Sequence, residues 1–183
     1  EIPLTKAIIK EVYRAHAVPF LNIHNGELLR ELLMESDTQQ IQAIARYEAA
    51  RMKEMHAYVG IRAAANAYEL SGVPADKMQM YNQLWMEPVH HEIRVKRTKW
   101  VILRYPNDQM AQMAKMPTEQ FEDFYFAVCN LNYAKMSEAM IPLQQLINRT
   151  DKVKIVAPGT DLSFSIKGIG GVLCDGQCNL PDG

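Results

Sequence analysis

The chain has 183 residues, of which 48% are apolar and 22% are charged, as is usual for one compact globular domain. Its 20 basic and 21 acidic side chains give a formal net charge of -1, which argues against a dedicated nucleic-acid binder because such proteins carry a basic excess. No apolar run approaches the roughly 18 residues that span a bilayer. The start of the chain also lacks the basic and apolar segments of a signal peptide.

The three cysteines are Cys129, Cys174 and Cys178. Because the cysteines are few and odd in number, they do not indicate a disulfide framework. We expect reduced thiols in a cytoplasmic protein. The eleven Met residues are many for this length, and we interpret most of them as packing in irregular core gaps. The chain opens with Glu1 rather than an initiator Met, so we expect it to begin inside a longer protein.

Hydrophobic periodicity predicts alternating helices and strands in the first part of the chain. Pro3 suits the first turn of a helix, and apolar side chains recur behind it every four positions. The predicted elements are a helix over Pro3–Ala15, a strand over Val18–Ile23 closed by Asn25-Gly26, a short helix over Gly26–Met34, a second helix capped by Ser36 or Asp37, and a strand over Ala57–Ala63.

The sequence pattern in the middle of the chain predicts one helix and one strand. A helix should begin at about Ala75, and we expect Pro88 to kink or end it because proline cannot donate a helical hydrogen bond. Lys99–Tyr105 is the clearest strand, since it is rich in β-branched and aromatic residues and is stopped by Pro106. We expect Trp100 to be buried in it.

The last third predicts a long helical region followed by two strands. Asn107 or Asp108 can cap a helix, and Pro117 starts the long helical region. Pro142 conflicts with this prediction because proline is disfavoured inside a helix. The side chains predicted to face inward are Phe121, Phe124, Val128, Leu131 and Leu143. The strands are predicted over Lys152–Ala157 and Leu162–Lys167, with loops over Gly168–Gly183.

This order of elements favours an α/β fold with a layered, largely parallel sheet flanked by helices. We predict a single sheet whose core strands include Trp100–Arg104 and Val153–Val156. The Leu162 strand could add an antiparallel edge. No internal repeat, low-complexity tract or internal linker is evident in the sequence.

The five histidines are His16, His24, His56, His90 and His91. Adjacent helical residues point about 100° apart, so the pair His90-His91 does not have the spacing of a catalytic zinc motif, and a solvated helix face is the favoured interpretation. Cys174 and Cys178 have a zinc-like spacing, but no second pair of ligands lies nearby, and free thiols are the default.

Other catalytic patterns are missing from the sequence. There is no Gly-x-Ser-x-Gly nucleophile turn and no phosphate-binding Gly-x-x-x-x-Gly-Lys, and no helix pattern follows Gly168–Gly171 as a dinucleotide fingerprint requires. The basic run Arg94–Lys99 could touch phosphate, but we interpret it as a solvated helix end because no aromatic ladder accompanies it. Motif chemistry alone therefore predicts an α/β domain without a visible active site.

Several segments nevertheless resemble the thermophilic-type metallo-aminopeptidases, the family of aminopeptidases T and S. The most specific are Lys154–Gly168, with its Pro-Gly-Thr-Asp-Leu turn, and Cys174–Gly183, which is similar to an Asp-Gly-x-x-Asn-Leu-Pro-Asp-Gly loop. Thr98–Val101, Arg104–Pro106 and Met116–Phe126 are also similar to family elements. These matches follow the family order over about the second half of the chain, whereas the first half is similar only in its helix-strand rhythm.

The resemblance implies an enzyme that uses two divalent metal ions, zinc, cobalt or manganese, to remove N-terminal residues from peptides. In the family the first metal ligand is a Glu that directly follows Pro-Asp-Gly. The loop Asn179, Pro181, Asp182 and Gly183 would precede that ligand, so no metal or catalytic residue can be assigned on this chain and no metal ion is expected on it.

The same resemblance implies an N-terminal α/β domain over residues 1–168 and a loop over 169–183 that leads into a C-terminal catalytic domain. Family members are homodimers, so roles in substrate access and dimer contact are implied for this part. From the balanced charge and the lack of a long apolar run, we expect no nucleic acid or membrane as partner. The alternative is a stand-alone α/β binding or scaffold module without catalysis.

Overall fold

The computed structural model describes residues 1–182, which form two compact units that divide between Asp123 and Phe124. The first unit contains α1 (Ile2–Arg14), α2 (Gly26–Glu35), α3 (Thr38–Lys53), β1 (Ala57–Arg62), α4 (Ala75–Tyr81), a π-helix (Asn82–Val95), β2 (Lys99–Arg104) and α5 (Asp108–Met113). The division lies within α6 (Thr118–Cys129). The second unit then contains α7 (Tyr133–Arg149), β3 (Lys152–Ala157), β4 (Thr160–Ser165) and β5 (Asn179–Leu180). The chain is α/β, as predicted.

Helix starts follow the capping chemistry of the sequence. The Asp37 carboxylate accepts a hydrogen bond from Gln40 N at 2.8 Å, and the Asn107 side chain accepts one from Met110 N at 3.0 Å. Each bond satisfies a backbone donor that the first helical turn leaves free. Asp37 rather than Ser36 is therefore the cap of α3, because Ser36 is fully buried and its hydroxyl donates backward within α2.

The core of the first unit lies between α3 and the π-helix. Trp85, Val89 and Ile93 recur every four residues along the π-helix, and all three are buried. The core residues are Leu33, Ile41, Ala45, Met52, Val73, Trp85, Val89 and Ile93.

β1 and β2 pair in parallel, with Ala57 opposite Lys99 and Arg62 opposite Arg104. Gly60 is buried in this pair, and a Cβ at this position would lie 3.0 Å from the Ile102 side chain. The two strands therefore pack closely where the chain has no side chain.

The prediction of a single sheet was wrong. Lys152–Ala157 is a strand as predicted, but it pairs antiparallel with β4, separately from β2. Ala157 and Thr160 face each other across Pro158-Gly159, and Gly159 has φ 75, which a tight two-residue hairpin turn requires. A short turn lets two antiparallel strands pair directly, so β3 has β4 as its hydrogen-bonded neighbour.

The predicted strand over Val18–Ile23 was also wrong. These residues follow α1 as irregular chain, with Val18, Phe20 and Ile23 largely exposed. Strand-type composition creates a strand only where a neighbouring chain completes the ladder, and Pro19 removes one of the donors that such a ladder needs.

Pro88 does not end the helix in which it lies. The helix continues from Asn82 to Val95 as a π-helix with Pro88 in its interior. The wider i→i+5 register of a π-helix accommodates a residue that cannot donate and would clash with the preceding turn of an α-helix. Pro142 likewise lies inside α7 without ending it.

Two burial predictions need correction. Phe121 is buried, but Phe124 and Leu143 are 57% and 58% exposed. Leu131 is also exposed, and it lies in the break between α6, which ends at Cys129, and α7. Trp100 is half-buried rather than buried. Its indole N–H donates to Val95 O at 3.2 Å.

Candidate functional site

The loop of residues 174–182 is built around the buried side chain of Asp175. The Ser137 hydroxyl of α7 donates to Asp175 Oδ2 at 2.8 Å, and the Gln177 amide donates to the same oxygen at 2.9 Å. Asp175 is 5% exposed. These hydrogen bonds, Ser137 first, favour the ionised form and lower the pKa of the Asp175 carboxyl group.

The two ends of the loop meet at Tyr133, the first residue of α7. Gly176 N donates to Asp182 Oδ2 at 3.3 Å, and Asp182 N donates to Tyr133 Oη at 3.3 Å. Tyr133 Oη in turn donates to Val128 O at 3.0 Å. The phenol thus acts as both donor and acceptor, which fixes the orientation of its hydroxyl group.

Gly176 lies directly against the Tyr133 ring. Its φ is +78, and a Cβ at this position would be 2.3 Å from Tyr133 Cδ1. Both the backbone conformation and the close contact therefore require glycine. The residues around this contact line a pocket of about 430 Å³, namely Tyr133, Ala134, Ser137, Asp175, Gly176 and Gln177.

The predicted loop residues differ in their placement. Asp182 is half-buried and bound into the network with Tyr133, whereas Asn179 is exposed in β5. Pro181 is half-buried, and Gly183 lies outside the described residues. The sequence did not point to Tyr133 or Ser137, because they are 49 and 38 residues away from their partners in the chain.

A second cluster of charged and aromatic side chains surrounds Arg94 in the first unit. The Arg94 guanidinium carbon lies 4.6 Å from the Tyr58 ring centre and 5.2 Å from the Trp85 ring centre. Arg94 Nη2 is 3.7 Å from Glu48 Oε2, an oxygen that Arg51 Nη2 approaches more closely, at 2.6 Å. Within residues 1–182, Arg94 Nε has no hydrogen-bond acceptor.

The interpretation of the run Arg94–Lys99 as a solvated helix end was therefore wrong for Arg94, which is 5% exposed. Its charge is compensated by aromatic faces and by a shared carboxylate rather than by water. We assign it a structural role in the core.

In residues 1–182, the histidines join no cluster of three potential metal ligands. The His90 and His91 rings are 5.1 Å apart and meet edge to face. Burial, followed by the neighbouring His91 and Arg94, lowers the pKa of His90. Across the described part of the chain, no three His, Cys, Asp or Glu side chains converge to hold an ion, and Cys174 and Cys178 are free thiols. These residues do not fit the coordination that a catalytic metal requires.

A family model described as thermophilic metalloprotease (M29) matches residues 1–169. The chain belongs to this metalloprotease family. A search of the curated proteins found no match.

The match to the metalloprotease family includes the first half of the chain, which resembled the family only in its order of helices and strands. It indicates a peptidase that acts on peptides with the help of divalent metal. The matched range ends before the 174–182 loop, so the family match does not test whether a metal ligand follows Asp182. None of the helices in residues 1–182 is long and apolar enough to cross a membrane.

Proposed function

We propose that this chain is the N-terminal portion of a metal-dependent aminopeptidase, which removes N-terminal residues from peptides. Its proposed organisation is an α/β domain over residues 1–168 and a loop over 169–183 that leads into a C-terminal catalytic domain. The family match over residues 1–169 is the observation that carries this proposal.

The metal ligands are proposed to come from the catalytic domain. A two-metal peptidase site needs several carboxylate and imidazole donors around ions about 3.5–4 Å apart. No three such side chains converge within residues 1–182. This observation supports the proposal that the chain is inactive on its own. In the complete enzyme we propose two zinc, cobalt or manganese ions, with the first ligand directly after Asp182 and Gly183.

The role proposed for this portion is to shape access to the active site and to contribute to a homodimer in the cytoplasm. The large exposed apolar side chains of the two units support a role in contacts with other protein surfaces. Phe20 and Ile23 in the first unit, and Phe124 and Leu143 in the second, are examples.

The test compares residues 1–183 with the complete protein at matched concentration. Both are dialysed and supplied with zinc, cobalt or manganese, and release of a free amino acid from a peptide is measured. We expect turnover by the complete protein alone. Metal-dependent turnover by residues 1–183 would place the active site in this chain. Inactivity of both would favour the stand-alone binding or scaffold module.

A further inference from the structure

The 174–182 loop is attached to the start of α7 at two separate points. Ser137 Oγ holds the Asp175 carboxylate at 2.8 Å, and Tyr133 Oη accepts from the backbone of Asp182 at 3.3 Å. Tyr133 and Ser137 are four residues apart in one helix, so they lie on the same face. The helix therefore presents two hydroxyl groups to the loop together.

Each attachment is itself held in place. Tyr133 Oη is fixed by its bond to Val128 O at 3.0 Å, and Asp175 receives a second hydrogen bond from Gln177. The bond from Gly176 N to Asp182 Oδ2 joins the two attachment points within the loop. Movement of Asp182 would thus break its bond to Tyr133 and its bond to Gly176, the residue next to Asp175.

We infer that Tyr133 and Ser137 are positioning residues, which determine where the chain leaves Asp182 on its way to the catalytic centre. This inference rests on the proposed function, in which the segment after Asp182 supplies catalytic groups. Neither side chain touches the reacting atoms in this role. A displacement of catalytic groups by about 1 Å can reduce the rate of an enzyme roughly 100-fold, so a fixed loop has a direct effect on turnover.

The experiment uses the native protein that contains this chain, with the variants Ser137→Ala and Tyr133→Phe. Each removes one hydroxyl and keeps the rest of the side chain. Ser163→Ala and Tyr47→Phe, at exposed positions, are the matched controls. Hydrogen exchange of the amides in residues 174–182 is followed by mass spectrometry, and kcat and KM are measured for a peptide substrate.

We expect each of the two variants to accelerate exchange in the loop about fivefold, as the loss of one hydrogen bond should. We also expect kcat to fall at least about fivefold with KM nearly unchanged, whereas the controls should match the unmodified protein. If the two hydroxyl groups had a purely structural role, the variants would show faster exchange in the loop with unchanged kcat.

Two results would overturn the inference. One is loop exchange in both variants equal to that of the controls. The other is faster exchange with unchanged kcat, which would leave the contacts without a positioning role. Inactivity of the unmodified native protein would instead reject the proposed function, and the positioning role with it, so the two failures are distinguishable.

Discussion

The guanidinium of Arg94 is enclosed between the rings of Tyr58 and Trp85, at 4.6 Å and 5.2 Å from their centres. Arg94 is 5% exposed, and Glu48 is its nearest carboxylate, at 3.7 Å. A buried cation that shares one carboxylate with Arg51 gains little net stability from its charge. The long side chain itself fills space between two aromatic rings.

We therefore predict that Arg94→Met changes the free energy of unfolding by less than about 1.5 kcal/mol, because Met keeps most of the volume and needs no acceptor. Arg94→Ala should cost about 2–4 kcal/mol, because it leaves a cavity between the rings. Urea denaturation of the two variants checks this. If Met is as damaging as Ala, the charge of Arg94 contributes more than its packing.

The two tryptophans should differ in their contribution to stability. Trp85 is 8% exposed and stacks on Tyr81 with ring centres 5.2 Å apart, whereas Trp100 is half-buried. Trp85→Ala should cost about 3–5 kcal/mol, and Trp100→Ala roughly half as much. Thermal unfolding of both variants measures the difference. Equal costs would mean that Trp100 is buried more deeply than the structure shows.

Helices with a side-chain cap and a four-residue apolar repeat were predictable from the sequence, as α3 with Asp37 shows. Val18–Ile23 was not, because a strand depends on a partner that local sequence does not specify. The contact of Tyr133 with Asp182 joins residues 49 positions apart, and no periodic pattern encodes such a pair. The burial of Arg94 was missed because the basic residues that follow it in the same run, Lys96, Arg97 and Lys99, are exposed.

Stability should decrease as the pH falls below about 6.5, in part because of His90. Burial lowers the pKa of His90 in the folded state, so the unfolded chain, with an ordinary pKa near 6.5, binds the proton more readily. The contribution of His90 is complete above that pH and is lost below it. Desolvation, followed by the charge of Arg94, also lowers the pKa of His24, which acts in the same direction.

His90→Gln should therefore reduce the difference in urea midpoint between pH 8 and pH 5.5, and the exposed position His56→Gln serves as the matched control. A midpoint difference in His90→Gln as large as in the control would contradict this explanation. Because His24 remains in the variant, the difference should shrink without disappearing.

Gly176 and Gly159 allow a matched test of the contact with Tyr133. Both have φ near +75, but a Cβ at Gly159 meets nothing within 4 Å, whereas one at Gly176 would be 2.3 Å from the Tyr133 ring. Gly159→Ala should cost about 1 kcal/mol for its backbone conformation alone. Gly176→Ala should cost at least about 1 kcal/mol more. Similar melting temperatures for the two variants would show that the loop does not pack on Tyr133.

The activity proposed for the complete protein is the removal of residues from the free N-terminus of peptides. Its most direct test uses the complete protein, supplied with divalent metal, on one peptide in two forms, with a free and with an acetylated N-terminus. We predict that the free form loses single residues in order from its N-terminus, that a chelator stops the reaction, and that the acetylated form stays intact. Internal cleavage of the acetylated peptide, or undiminished activity in the presence of the chelator, would show that the protein is not a metal-dependent aminopeptidase.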